Sequence, residues 1–137
     1  MNNEKTNQHN PSGTIEIAGA KTSKAKLRLD LVPQVFIRRT AIRFTEGAEK
    51  YGDYNYRKGL VEPAFIQDRI NHLLNHLSEF LVQGPDTEND NLAAVAWGIA
   101  FLMEAEQTQS GRQAIRDAVG HMSFTYFPSS ADKERDF

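Results

Sequence analysis

After Pro33, apolar residues recur at helical spacing with polar stripes between them. Val35, Ile42 and Ala48, with Phe36 and Phe44 nearby, predict a helix over 34–51; Pro33 suits its first turn and Gly52 the position just past its end. Residues 53–63 hold Gly, Asn, Tyr and Pro and read as a loop. A second helix is predicted over 64–83, burying Ile66, Ile70, Leu73, Leu74, Leu77 and Leu81. "GPDTEND" breaks it, and Asp86 or Thr87 can cap a third helix over 88–106 that buries Leu92, Val95, Ala96, Ile99 and Met103. "SGRQAIRDAVGH" offers a short fourth helix capped by Ser110.

Upstream of Pro33 the pattern changes. "KLRLDLVP" alternates charged and apolar residues from Lys26 to Val32 and reads as an extended, strand-like lead-in. "TIEIAG" could form a short strand within an otherwise polar segment, 1–23, whose composition predicts a flexible tail. At the other end, Phe124, Tyr126 and Phe127 are expected to dock on the core and the last residues to fray. The expected class is all-α: a small bundle of three to four helices with flexible termini, completed by oligomerisation. It divides into the tail 1–23, a helical domain 24–107, and a short helix with a C-terminal tail, 108–137.

Composition narrows the function classes. The chain has 137 residues, enough for one domain. A quarter of them are charged and the net charge is −2, so there is no general drive toward nucleic acid or an anionic membrane. "RRTAIR" is basic but leads into no recognition motif, so no specific nucleic-acid partner is expected. Cysteine is absent, which excludes a disulfide scaffold, a thiol nucleophile and a thiolate zinc site. "MNNEKTNQHNPSGT" lacks the apolar region of a secretory signal, and no run approaches the roughly 18 apolar residues of a membrane span. A cytoplasmic protein is the expectation.

Each predicted helix also carries carboxylates. Glu46 and Glu49 lie three apart near Arg39, Arg43 and Lys50; alone, such a pair is usually a solvated face with helical ion pairs. Asp68, His72, His76 and Glu79 recur at spacings of four, four and three, again a common polar stripe. Asp86 and Glu88 suit the positive end of the third helix, whereas Asp90 lies one turn in and could reach the other helices. In a bundle such stripes can converge. Carboxylates without thiolates favour Mg²⁺ or Mn²⁺, and Mg²⁺ ordinarily arrives with phosphates. The loop after Tyr51 adds the complementary chemistry: Arg57 and Lys58 for phosphate oxygens, Tyr54 or Tyr56 for stacking on a base.

These residues resemble a known family. "KLRLDLVP", "EGAEKYGDYNYRKG", "NHLLNHL" and "DNLAAVAWGIAFLME" are similar to the phage-type dATP/dGTP diphosphohydrolases, relatives of the MazG-like all-α nucleotide pyrophosphohydrolases. The most specific piece is a "GAxKYGxxNW" element followed by Gly, matched by Gly47, Ala48, Lys50, Tyr51, Gly52, Asn55 and Gly59, with Tyr56 in place of Trp. Two positions depart: an Arg-His pair reads Asn75-His76, and an "HLAHA" pattern reads Asn91 to Val95. The resemblance implies a dimeric or larger assembly that hydrolyses a purine deoxynucleoside triphosphate to monophosphate and pyrophosphate with Mg²⁺ or Mn²⁺. Only Lys50 and the surrounding loop residues rest on the motif match; placed beside it by their helical stripes, Glu46, Glu49, Glu79 and Asp90 are candidate metal ligands. Glu49 and His76 are the candidate catalytic groups, and Lys50, Tyr51, Asn55, Tyr56, Arg57 and Lys58 are candidates for the nucleotide. The alternative, from another class, is a silent relative that binds nucleotides or a protein partner. Pyrophosphate release separates the two.

Overall fold

The computed structural model describes residues 8–9, 14–17, 19–24 and 26–122. Chain contacts divide it into two units, 1–37 and 38–137. In the first, β1 (Gln8–His9), β2 (Thr14–Ile17) and β3 (Ala20–Lys24) form an antiparallel sheet in the order β1-β2-β3. Gln8 pairs with Glu16 and Glu16 with Lys21, with an irregularity between Thr14 and Glu16. The strand suggested by "TIEIAG" is thus β2. "KLRLDLVP" is not extended as its alternation suggests. Leu29–Leu31 form a 3-10 turn, because Arg28 donates two bonds to Asp30, at 2.8 and 2.7 Å, and the backbone closes Leu31 onto Arg28 and Val32 onto Leu29. The expected docking of Phe124, Tyr126 and Phe127 lies outside the described residues.

The rest is helical: α1 (Gln34–Tyr51), a 3-10 turn (Asn55–Gly59), α2 (Pro63–Gln83), α3 (Asn91–Ala105) and α4 (Gln109–Gly120). Gly52 stops α1 at φ +94°, in the left-handed region, and donates its N–H to Ala48 at 2.8 Å. Pro63 opens α2, where its fixed φ suits the first turn. α3 begins later than expected. Thr87 turns back onto the Asn89 carbonyl at 2.8 Å, and Asp90, rather than Asp86 or Thr87, caps the helix by accepting the Ala93 N–H at 3.1 Å. α4 is capped by Thr108 rather than Ser110; its hydroxyl accepts the Gly111 N–H at 3.0 Å.

The core gathers Ile66 of α2, Phe101 of α3, and Ala114 and Ala118 of α4. The face α3 buries differs from the expected one: Ala93, Ala94, Gly98, Phe101 and Ala105 are inside, while Leu92, Ile99 and Met103 are exposed. Small residues permit close helix approach. A Cβ at Gly98 would lie 2.8 Å from the Leu73 side chain of α2. α2 buries Ile66 and half-buries Ile70 and Leu73, but leaves Leu74, Leu77 and Leu81 exposed. On α1, Phe44 and Ala48 are half-buried, and Val35, Phe36 and Ile42 are exposed. Among the described residues no helix is long and apolar enough to cross a membrane.

Candidate nucleotide cleft

A cleft of about 810 Å³ opens between the C-terminal half of α1, the loop after it, and the faces of α2 and α3. α1 contributes Arg43, Phe44, Glu46, Lys50 and Tyr51; the loop adds Asp53, Tyr54, Asn55 and Tyr56. Across from them α2 presents Phe65, Arg69, His72 and His76, and α3 presents Ala94, Trp97 and Gly98. The spacing of the α2 set, four, three and four, puts those side chains on one face.

Aromatic rings join the walls. Phe44 meets Tyr56 edge-on at 5.5 Å and Trp97 at 5.8 Å, and Trp97 lies parallel to Phe101 at 5.7 Å, with 7° between planes. The Arg69 guanidinium stands 5.3 Å from the Phe65 ring centroid and 6.0 Å from that of Trp97. It donates to Asp68 at 2.6 Å, which holds that carboxyl below the usual carboxylate range. At the loop, Tyr54 adopts φ +58°, a conformation that bulky side chains avoid, and the Arg57 guanidinium covers its ring at 4.2 Å. Arg57 also reaches Glu104 at 3.9 Å, tying the 3-10 turn to α3.

The α3 end of the cleft rests on a second network. Arg39 donates two bonds to Asp90, at 2.9 and 2.6 Å. Those bonds hold the Asp90 carboxyl below its usual range, against partial desolvation and with help from the Ala93 N–H and the charges of Arg39 and Arg43. A carboxyl depressed in the folded state contributes stability above its unfolded pKa. That contribution is lost as pH falls through the folded value. Asp90→Asn keeps a capping oxygen but loses the ion pair. Denaturant midpoints are expected to show it about 1 kcal/mol less stable at neutral pH, with the gap closing below about pH 4. A gap that stays constant with pH counts against this account.

Next to Asp90, Asn91 is 3% exposed. Its amide oxygen lies 2.9 Å from His76 Nδ1 and accepts from Asn89 Nδ2 at 3.2 Å.

The structure therefore brings Glu46, Lys50, Tyr51, Asn55, Tyr56 and His76 to one cleft. Glu49, Arg57, Lys58, Glu79 and Asp90 lie outside its lining. Asp90 is engaged by Arg39, and Glu79 stands 3.9 Å from His76 Nδ1 on the helix surface. Arg43, Phe44, Phe65, Arg69 and Trp97 are lining residues to which the sequence reading gave no site role. The α2 pair was available from spacing: Phe65 and Arg69 precede His72 and His76 at helical intervals, sharing those two histidines with the Asp68–Glu79 stripe.

The donor set bears on a divalent cation. Among the described residues no three His, Asp or Glu side chains form a group able to hold a metal ion. That arrangement does not fit a closed protein cage. It does fit Mg²⁺ in its common mode, bound through one or two carboxylates and the phosphates it accompanies, with Glu46 and Asp53 as the carboxylates that line the cleft.

No curated protein and no solved structure matches the chain. A family model does, described as the N-terminal part of dATP/dGTP diphosphohydrolase and covering residues 16–115. That span holds the cleft and the helices α1, α2 and α3 that build it. The chain belongs to the dATP/dGTP diphosphohydrolase family.

Proposed function

We propose that the cleft binds a purine deoxynucleoside triphosphate and hydrolyses it to monophosphate and pyrophosphate. The observation that supports this most is the juxtaposition of aromatic rings with Arg43, Lys50 and Arg69, against only two lining carboxylates, Glu46 and Asp53. Rings suit a base, and fixed cations suit phosphate oxygens. Lys50, Arg43 and Arg69 bind the phosphates; Tyr51, Tyr54, Asn55 and Tyr56 orient the nucleoside. Mg²⁺ or Mn²⁺ arriving with the triphosphate and held by Glu46 would neutralise phosphate charge and make a bound water more acidic. In the reaction a water oxygen bonds to phosphorus and the phosphoanhydride bond breaks. Pyrophosphate leaves with the electron pair, and His76 takes the water's proton.

The test is a panel of ribo- and deoxynucleoside triphosphates with Mg²⁺ or Mn²⁺, followed by pyrophosphate release and titration calorimetry. Release from purine deoxynucleotides is the expected result. The sparse carboxylates of the cleft favour a second reading, a silent nucleotide-binding relative; calorimetric binding without release would establish it and overturn turnover.

Self-association belongs to the same proposal. Ile42 of α1, Leu81 and Val82 of α2, and Ile99 and Met103 of α3 are exposed, with Val82 at 82%. Faces of this kind are covered economically by a second copy. Sedimentation at micromolar concentration is expected to give a dimer or larger, and a monomer there counts against it.

A further inference from the structure

We infer that Asn91 is a positioning residue that keeps the side-chain proton of His76 on Nδ1 and leaves the Nε2 lone pair for the cleft. The inference deepens the hydrolysis proposed above, but its structural part stands without it.

Asn91 Oδ1 is 2.9 Å from His76 Nδ1. A carbonyl oxygen can only accept, so with the amide in this orientation Nδ1 donates, and in neutral imidazole the other nitrogen is then the acceptor. In this orientation the same oxygen accepts from Asn89 Nδ2 at 3.2 Å, while Asn91 Nδ2 is buried without a partner among the described residues. The reversed amide would donate Nδ2 to His76 Nδ1 and put the histidine proton on Nε2, the form that the NMR experiment distinguishes. Asn91 is also held in place. It is the first residue of α3, its own N–H donates to the Asn89 carbonyl at 2.9 Å, and the preceding Asp90 is clamped by Arg39. At 3% exposure it competes with no solvent.

His76 lines the cleft, whereas Asn91 does not. With Nδ1 turned to Asn91, Nε2 is the nitrogen left for a ligand. The other charged or titratable groups around the ring are Glu79 and His72 on its own helix, Glu46 and Arg43 across the cleft on α1, and the Arg39–Asp90 pair at the start of α3. Glu79 Oε2, 3.9 Å from Nδ1, also favours a proton on that nitrogen. A histidine free of such partners prefers the opposite tautomer, with its proton on Nε2. Asn91 thus opposes the intrinsic preference, and does so in the sense a proton acceptor requires. Outer partners of functional histidines commonly act this way.

The experiment is ¹⁵N NMR of the full chain at pH 8, where imidazole nitrogen shifts report which nitrogen carries hydrogen. His76 is identified among the four histidines by its loss in His76→Gln. The expected result is a predominant Nδ1–H form in the parent. Asn91→Asp, which retains an acceptor, keeps that form; Asn91→Leu combined with Glu79→Gln moves it to Nε2–H. A parent already in the Nε2–H form overturns the inference, even if neither variant folds. So does a tautomer unchanged in the folded double variant. In the activity arm, Asn91→Leu should lower kcat by about 10–100-fold with KM within about threefold. Equal loss through KM would make Asn91 a binding or structural residue and overturn the positioning role. If no variant, parent included, releases pyrophosphate, the proposed hydrolysis fails while the NMR result still decides the tautomer.

Discussion

Replacing Trp97 by alanine is expected to lower the stability of the protein by about 3–5 kcal/mol, the usual cost of deleting a large packed aromatic. Trp97 stacks on the fully buried Phe101 and meets Phe44 and Tyr56, so one ring joins the core to α1 and to the 3-10 turn. Its removal unpacks the core side of the cleft and leaves Phe44 with the Tyr56 ring alone, so that α1 leans more on that contact and on the Arg39–Asp90 clamp. Against a total stability of roughly 5–15 kcal/mol for a domain, that loss is large. The melting temperature should fall on the order of 10 °C, and near-ultraviolet circular dichroism should weaken even below the transition. Trp97→Phe preserves a stacked ring and is expected to cost under about 1.5 kcal/mol. Denaturant titrations at fixed protein concentration measure both. A Trp97→Ala loss below about 1 kcal/mol would mean that the ring is peripheral and that α1 is anchored elsewhere.

The parts of this fold that were legible in the sequence are those with local causes. Pro33 and Gly52 bracket α1, and Pro63 and Gly84 bracket α2; each acts through its own backbone, so the bounds follow from a few residues. α3 is different. Asp86, Thr87, Asn89 and Asp90 can all cap a helix, and the choice falls on the residue that Arg39 holds from another helix, 51 positions away. Its buried face was hidden for a related reason. α3 is apolar on all sides, so periodicity does not distinguish the Leu92–Ile99–Met103 face from the Ala94–Gly98–Phe101 face; close approach to Leu73 does. In the cleft, the α1 wall was legible because Gly47, Lys50, Tyr51 and Asn55 form a dense local pattern. The aromatic wall was not, since Phe44, Phe65 and Trp97 meet only through packing.

The same geometry separates the two glutamates of "EGAEK". Glu46 lines the cleft together with Arg43, Gly47 and Lys50, whereas Glu49, one turn beyond Thr45 and Glu46, is not among the lining residues. From the sequence both carboxylates are candidate metal ligands and Glu49 a candidate catalytic group; since Glu46 is the one that lines the cleft, we propose the stronger role for it. Glu46→Gln is expected to lower kcat/KM for a purine deoxynucleoside triphosphate by about 10²–10³-fold, corresponding to about 3–4 kcal/mol for one charge contact made in the transition state. Glu49→Gln should stay within about threefold. Thermal shifts supply an independent readout. With nucleotide present, millimolar Mg²⁺ or Mn²⁺ should raise the parent's melting temperature by an amount that grows with the logarithm of cation concentration above its Kd. Glu46→Gln should lose most of that increment and Glu49→Gln should keep it. Without nucleotide or metal, both variants should lie within about 0.5 kcal/mol of the parent, because exposed carboxylates contribute little to folding. Equal damage from the two substitutions would restore a shared role for the pair. A parent insensitive to both cations in the presence of nucleotide would remove the metal from the proposal and leave a nucleotide-binding protein.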